Sequence, residues 1–182
     1  MNETQPSSCS WNPTAEKIGG TFAYCLIFLV SLAGNIFIGI IVYKTKTMKK
    51  PINFLIVNMA MSDLLFPIFV IPRVIQMFYI DSWLIGGPLG QALCKLAYFL
   101  PDVSLSVSIQ SLVLITVDRF GAVVFPLRSP LISSKPCPFF ILATWIVAMA
   151  IHSPYLFSYK VIEYPEGLYC WRDWNEIGRA HV

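Results

Sequence analysis

A carboxylate set deep in an apolar run is the first feature to explain. Asp63 stands in Asn58-Met59-Ala60-Met61-Ser62-Asp63-Leu64-Leu65, about 11 residues, or roughly 17 Å of helix, past the start of its run. Ser108 lies about 11 residues back from Arg119, a similar depth, and Asn35 lies about 9 residues, roughly 14 Å, back from Lys44. Ionisable groups inside a membrane span cost on the order of 2.5–3.5 kcal/mol on insertion scales and mark pathways or sites by default. Asn35, Asp63 and Ser108 are therefore expected to share one polar level near the midplane. Carboxylate, hydroxyl and amide oxygens together suit a small hard cation or a water cluster. The alternative has Asp63 protonated and Ser108 bonded to its own helix backbone.

A second constellation, Asp118-Arg119-Phe120, closes the third apolar run. An adjacent acid and base at a membrane rim can pair as an interface anchor. They can equally act as a two-state element, with Arg119 either on Asp118 or swung toward a partner protein. Cys94 and Cys170 fall in segments expected on the same outer side, where an oxidising compartment permits a bridge. Cys9 is a third outward cysteine whose partner the sequence does not name.

The elements that carry these groups are four long apolar segments, at about 20–43, 52–76, 91–124 and 138–159. A hydrocarbon core of about 30 Å needs about 20 such residues of helix. With 56% hydrophobic and 13% charged residues, against roughly 25% charged in soluble domains, a soluble globule lacks the polar surface to cover them. Continuous apolar runs exclude a membrane barrel, whose strands alternate. Pro67 and Pro72 are expected to kink the second span.

The net charge of +3 is less informative than its placement. Lys44, Lys46, Lys49 and Lys50 crowd one connection without an acid, and Arg128 and Lys135 follow Arg119. Lys and Arg mark the cytoplasmic side, so the amino-terminal tail, residues 1–19, is expected outside. Asn2-Glu3-Thr4, a glycosylation sequon on Asn2, agrees with that side. These lysines require no nucleic acid; retention or contact with lipid headgroups of the bilayer accounts for them. No phosphate loop, paired catalytic set or metal-spaced His/Cys group points to an enzyme.

Taken in order, Gly34-Asn35, Asn58 with Ser62-Asp63-Leu64, Trp83 before Cys94, Asp118-Arg119-Phe120, Pro126-Leu127, Trp145 and Cys170 resemble the rhodopsin-like (class A) G protein-coupled receptors. The resemblance covers about residues 20–172 and looks most like the neuropeptide receptors. It implies an all-α membrane protein whose four transmembrane helices are the first four of a seven-helix bundle in the plasma membrane. It further implies a Cys94–Cys170 disulfide over the ligand entrance, and a sodium ion held by Asp63 and Ser108 as the only cofactor. Asn35, Asn58 and Trp145 match positions that pack or water-bridge the helices. Arg119 matches the arginine that meets a heterotrimeric G protein, with Asp118 as its resting partner. Phe120 departs from the family's usual tyrosine.

Where amine receptors carry an aspartate this chain has Pro101, and its acid is Asp102, turned by about 100° on a helix. A peptide ligand with a basic group reaching Asp102, Glu163 or Glu166 is compatible with this; in the alternative, Asp102 caps or hydrates a proline-bent turn. Gln76, Tyr98, Asp102, Leu105 and Trp171 are the expected pocket wall.

Residues 173–182 are expected to be an outer-loop remnant whose Glu176–Val182 end reads as a translated sequencing adapter. A chain of four spans is expected not to signal alone. Two other readings remain: a truncated receptor that partners full-length receptors, and an ion-translocating transporter or channel subunit using Asp63.

Overall fold

The computed structural model describes residues 13–126, 132 and 136–173. Asn2, Cys9, Leu127, Arg128, Lys135 and the Glu176–Val182 segment lie outside the described residues.

Helix α1 runs Pro13–Lys44. It begins within the stretch expected as tail, because proline fits the first helical turn, where its missing N–H is no loss. A short 3₁₀ turn at Lys46–Met48 leads to α2, Pro51–Asp63, again opened by proline. Helix α3 covers Leu65–Tyr79, α4 Gly87–Val124, α5 Cys137–His152 and α6 Tyr155–Ser158. Among the described residues, four helical stretches are long and apolar enough to cross a membrane: Pro13–Lys44, Pro51–Tyr79, Gly87–Val124 and Cys137–Ser158.

The second span, Pro51–Tyr79, is interrupted in the region where a proline kink was expected. It breaks at Leu64, between α2 and α3, while Pro67 and Pro72 both lie within α3. The cause is nonetheless Pro67: it offers no N–H to the carbonyl four residues back, on Asp63, and its ring crowds that turn. The disturbance falls one turn before the proline, immediately beside the half-buried Asp63 carboxyl.

The outer segment after the fourth span, for which the sequence reading named no element, is a β-hairpin. Strand β1, Tyr159–Tyr164, pairs antiparallel with β2, Gly167–Arg172, in the register Tyr164↔Gly167 through Tyr159↔Arg172. Pro165 presets the turn's backbone, and Gly167 supplies a φ of 141° that a side chain would resist. Trp83 N–H donates to the Leu168 carbonyl at 2.6 Å, so the connection after α3 adds a bridge to the hairpin.

Helix α4 is the axis of the bundle, packing against α2, α3 and α5. Two buried apolar clusters sit along it. One gathers Ile52, Leu55, Ile132 and Cys137 near its Arg119 end. The other gathers Phe99, Val103, Val107 and Ala148 toward its disulfide end. Gly90 marks a close approach at the start of α4: a Cβ there would fall 1.8 Å from the Ile85 carbonyl oxygen. Helix α1 stands at the margin, with Val42 its one buried side chain.

Candidate functional site

Small hydroxyl side chains recur on α4 at Ser104, Ser108 and Ser111, spaced four and then three residues apart, which puts them on one face. Asn58 and Ser62 stand four apart on α2 and face them. Small residues let two membrane helices approach closely, and polar ones then bond across the gap. The outcome is a buried polar seam in two layers.

In the upper layer Ser108 donates to Asp63 Oδ1 at 2.5 Å, Ser62 and Ser108 hydroxyls lie 2.8 Å apart, and Ser104 donates to the Ser62 carbonyl at 2.7 Å. Ser62 also reaches the Met59 carbonyl at 2.9 Å. Each hydroxyl carries a single proton. With Asp63 ionised, the Ser62 and Ser108 protons serve three contacts: Asp63, each other and Met59. One contact therefore always lacks its donor, and oxygen lone pairs gather beside the carboxylate.

In the lower layer Asn58 binds three partners at once. Its Nδ2 donates to Ser111 Oγ at 3.0 Å and to Thr144 Oγ1 at 3.3 Å, and its Oδ1 accepts from Trp145 Nε1 at 2.8 Å. Helices α2, α4 and α5 thus meet on one side chain. Asn58, Ser111 and Thr144 are all buried.

Asn35 does not join the upper layer. Its Nδ2 donates to the Ser31 carbonyl at 3.0 Å on its own helix, and among the described residues it makes no hydrogen bond to Asp63 or Ser108. A serine four residues back on the same face offers a partner at no cost in helix approach. The shared level is therefore built by α2 and α4, with Ser62 and Ser104 in the place expected of Asn35.

Asp118 and Arg119 likewise part company. Asp118 is buried and accepts the Ile132 N–H at 2.9 Å, whereas Arg119 and Phe120 are exposed, and among the described residues the expected Asp118–Arg119 pair is not formed. Neighbouring residues point about 100° apart on a helix, so an acid that faces the bundle leaves its neighbour facing out.

At the opposite end of α4, Cys94 and Cys170 form a disulfide with Cα atoms 5.7 Å apart. Gln91 reinforces it from one turn earlier, donating to the Tyr159 carbonyl at 3.1 Å and accepting the Val161 N–H at 2.8 Å. Beside them runs a ladder of rings and guanidinium groups. Arg73 lies 4.2 Å from the centre of the Tyr98 ring, Tyr98 stacks on Tyr159 at 3.9 Å, and Arg172 sits 4.9 Å from Tyr155. Burial is the main cause that raises the Tyr159 phenol above its ordinary pKa; Tyr98, Tyr155 and Asp102 add to the rise, and Arg172 opposes it.

The five residues expected as one pocket wall are distributed over this end. Tyr98 belongs to the ladder, and Asp102 lies near Tyr159. Gln76 donates to the Ser82 carbonyl at 2.6 Å and lines a cavity between α3 and α4. Leu105 is exposed, and Trp171 lines a separate concavity on the hairpin with Tyr164, Glu166 and Tyr169. Strand alternation explains Trp171: because Cys170 turns toward α4, its neighbour must turn away. Arg73 was missed in the sequence, although a lone arginine inside an apolar run is the same signal that marked Asp63.

A disulfide-clamped hairpin at one end, a carboxylate–hydroxyl seam midway and an exposed arginine at the other end, all strung on one helix, define a transmembrane receptor bundle. Residues 34–181 match the 7 transmembrane receptor (rhodopsin family) profile, and the chain belongs to that family. It is 33% identical to a QRFP-like peptide receptor of Branchiostoma floridae, over 87% of this chain and 40% of that protein. It is 34% identical to neuropeptide FF receptor 1 of Rattus norvegicus, over 88% of this chain and 39% of that one. To the RYamide receptor of Drosophila melanogaster it is 34% identical, over 79% and 30%. The chain thus spans about two fifths or less of the length of these relatives.

Proposed function

We propose that this chain is the ligand-entry and switch-bearing portion of a plasma-membrane receptor for an extracellular peptide, working with a heterotrimeric G protein and not as an enzyme. The observation that carries the reading is the disposition of α4. Its Cys94 is bound to the hairpin, and its Arg119, roughly 37 Å further along the helix, is exposed. The relatives named as peptide receptors supply the ligand class. The hairpin end then faces outward with the amino terminus, and the lysine-rich connection faces the cytoplasm, as the distribution of basic residues requires.

In this reading ligand on the hairpin end favours one of two bundle arrangements, and the shift it achieves equals its differential affinity for them. Asp63 and Ser108, with Ser62 alongside, offer a carboxylate and hydroxyl oxygens, a hard donor set that fits a sodium ion. Such an ion would supply the positive charge that the proton-short seam lacks.

Photoreactive peptides of the kinds that the relatives' names specify test the proposal on the chain in native membranes. Specific labelling within Tyr159–Asp173, suppressed by excess unlabelled peptide, is the expected result. Labelling that excess peptide leaves unchanged, or an amino-terminal tag accessible only after permeabilisation, would overturn it.

A further inference from the structure

Arg73 places a cation inside a membrane span, and no carboxylate among the described residues meets it. It sits six residues before the end of α3. Its Nε is buried with no hydrogen-bond partner, and the same holds for the indole Nε1 of Trp83. Both residues line one cavity of about 380 Å³, between α3, the connection that follows it and the first turns of α4. Among the described residues no acidic side chain lines that cavity; its other walls include Ile68, Phe69, Leu93 and Ala97, with Gln76 at one side. The Gln76 amide is already directed to Ser82.

The stacking of Arg73 on Tyr98 bears directly on what the guanidinium can do. A ring against the flat face leaves the in-plane N–H groups free, and these form the fork that matches a carboxylate. Cation–π contact alone does not satisfy those donors. Two buried donors, one of them charged, within apolar walls call for an acceptor that is negative and carried on an apolar body.

We propose that this cavity binds a carboxylate on an apolar or aromatic stem, with Arg73 as its counter-charge and Trp83 Nε1 as its second donor. The position of the cavity, beside the hairpin and reached from the same end, makes an acidic group of the peptide ligand one source. That source rests on the receptor reading above. The chemistry does not, and a free amphiphilic carboxylate from the membrane would satisfy it equally. The expectation reverses the charge read from the sequence, which looked to Asp102 and a basic ligand group.

The test uses the whole chain in nanodiscs and equilibrium dialysis of three probes: N-acetylphenylalanine, its uncharged amide and decanoate. The acid is expected to bind about tenfold more tightly than the amide at neutral pH. That preference should fade as pH falls through the probe's own carboxyl range, about 3.5. Arg73→Gln should abolish the preference, Arg73→Lys should keep part of it, and Trp83→Phe should weaken the acid about threefold, in protein whose Cys94–Cys170 bridge is intact. Binding of N-acetylphenylalanine over decanoate assigns the site to a peptide, and the converse assigns it to a free amphiphile. Equal binding of acid and amide, or a preference that survives Arg73→Gln, overturns the proposal. Equal binding of acid and amide by the wild-type protein overturns the proposal without any variant, and the charge-keeping Arg73→Lys stands beside Arg73→Gln, so a single variant that fails to fold does not protect it. Peptide photolabelling of the hairpin could still succeed after such a failure, so the two readings fall separately.

Discussion

The seam and the cap hold the same helix by different physics. Along the seam, α2 is joined to α4 and to α5 by neutral side chains and one carboxylate, through hydrogen bonds of 2.5–3.3 Å. At the cap α4 is joined to the hairpin by a covalent bond, a glutamine clamp and stacked rings with guanidinium groups. Hydrogen bonds between membrane helices are worth little each, about 0.6 kcal/mol on average. A seam of this kind can therefore rearrange by exchanging partners at small cost, which suits a region that must have two states. The cap cannot exchange its disulfide, so it keeps a fixed shape for whatever meets it.

Removing the bridge should produce the largest effect. Cys94 and Cys170 are 76 residues apart in sequence, and closing a loop of that size restricts the unfolded chain by about 4 kcal/mol in the chain-entropy account. Cys94→Ser, or mild reduction, is expected to lower the thermal midpoint in detergent by several degrees and to expose the hairpin to protease. The seam should stay closed, since none of its bonds crosses the cap. If α4 and α5 instead lost their protection together with the hairpin, the two regions would be one cooperative unit and the contrast would fail.

Next in size is Asn58→Ala. It deletes three hydrogen bonds and strands Trp145 and Ser111, while Thr144 keeps its bond to the Ile141 carbonyl. At about 0.6 kcal/mol per bond the loss is about 2 kcal/mol. Asn58→Asp sharpens the result, because a carboxylate still accepts from Trp145 but cannot donate to the two hydroxyls. It should recover only part of the stability, measured by denaturant unfolding in micelles. Full recovery would show that the indole bond alone matters.

How much of this was legible in the sequence follows the same division. Spans, seam carboxylate and disulfide partners are written in long apolar runs, a buried charge and a resemblance carried by several short motifs. Asp63 and Ser108 could be matched because depth along a helix is linear in residue number. Depth does not give azimuth, so Asn35 was assigned to a level it shares without facing the cluster. The same blindness paired Asp118 with Arg119, two neighbours that a helix points apart. The break at Leu64 was hidden because a proline acts on the turn before it. The hairpin was hidden because Tyr159–Tyr164 follows an apolar helix, although Pro165 and Gly167 at its turn were visible. Asn58 and Trp145 were expected to pack or bridge through water, and their direct bond from α2 to α5 depends on azimuths that depth alone does not give.

The smallest expected effect concerns pH and belongs to the cap alone. The Tyr159 phenol is held above its ordinary value, near 10, chiefly by burial. In the unfolded chain it loses its proton near 10, while in the folded cap it still keeps it. Between those two points the folded state binds more protons, so stability falls as pH rises from about 10 through the raised folded value, and below 10 the contribution is complete. Arg172 works against the shift by favouring the phenolate. Arg172→Gln should therefore move the folded titration further upward and steepen the alkaline loss, and Tyr159→Phe should remove this component of the slope. Seam variants such as Asn58→Ala should leave the alkaline slope as it is, since no tyrosine takes part in the seam's bonds. A slope that changes in Asn58→Ala and not in Tyr159→Phe would mean that the seam, and not the stacked rings, carries the proton.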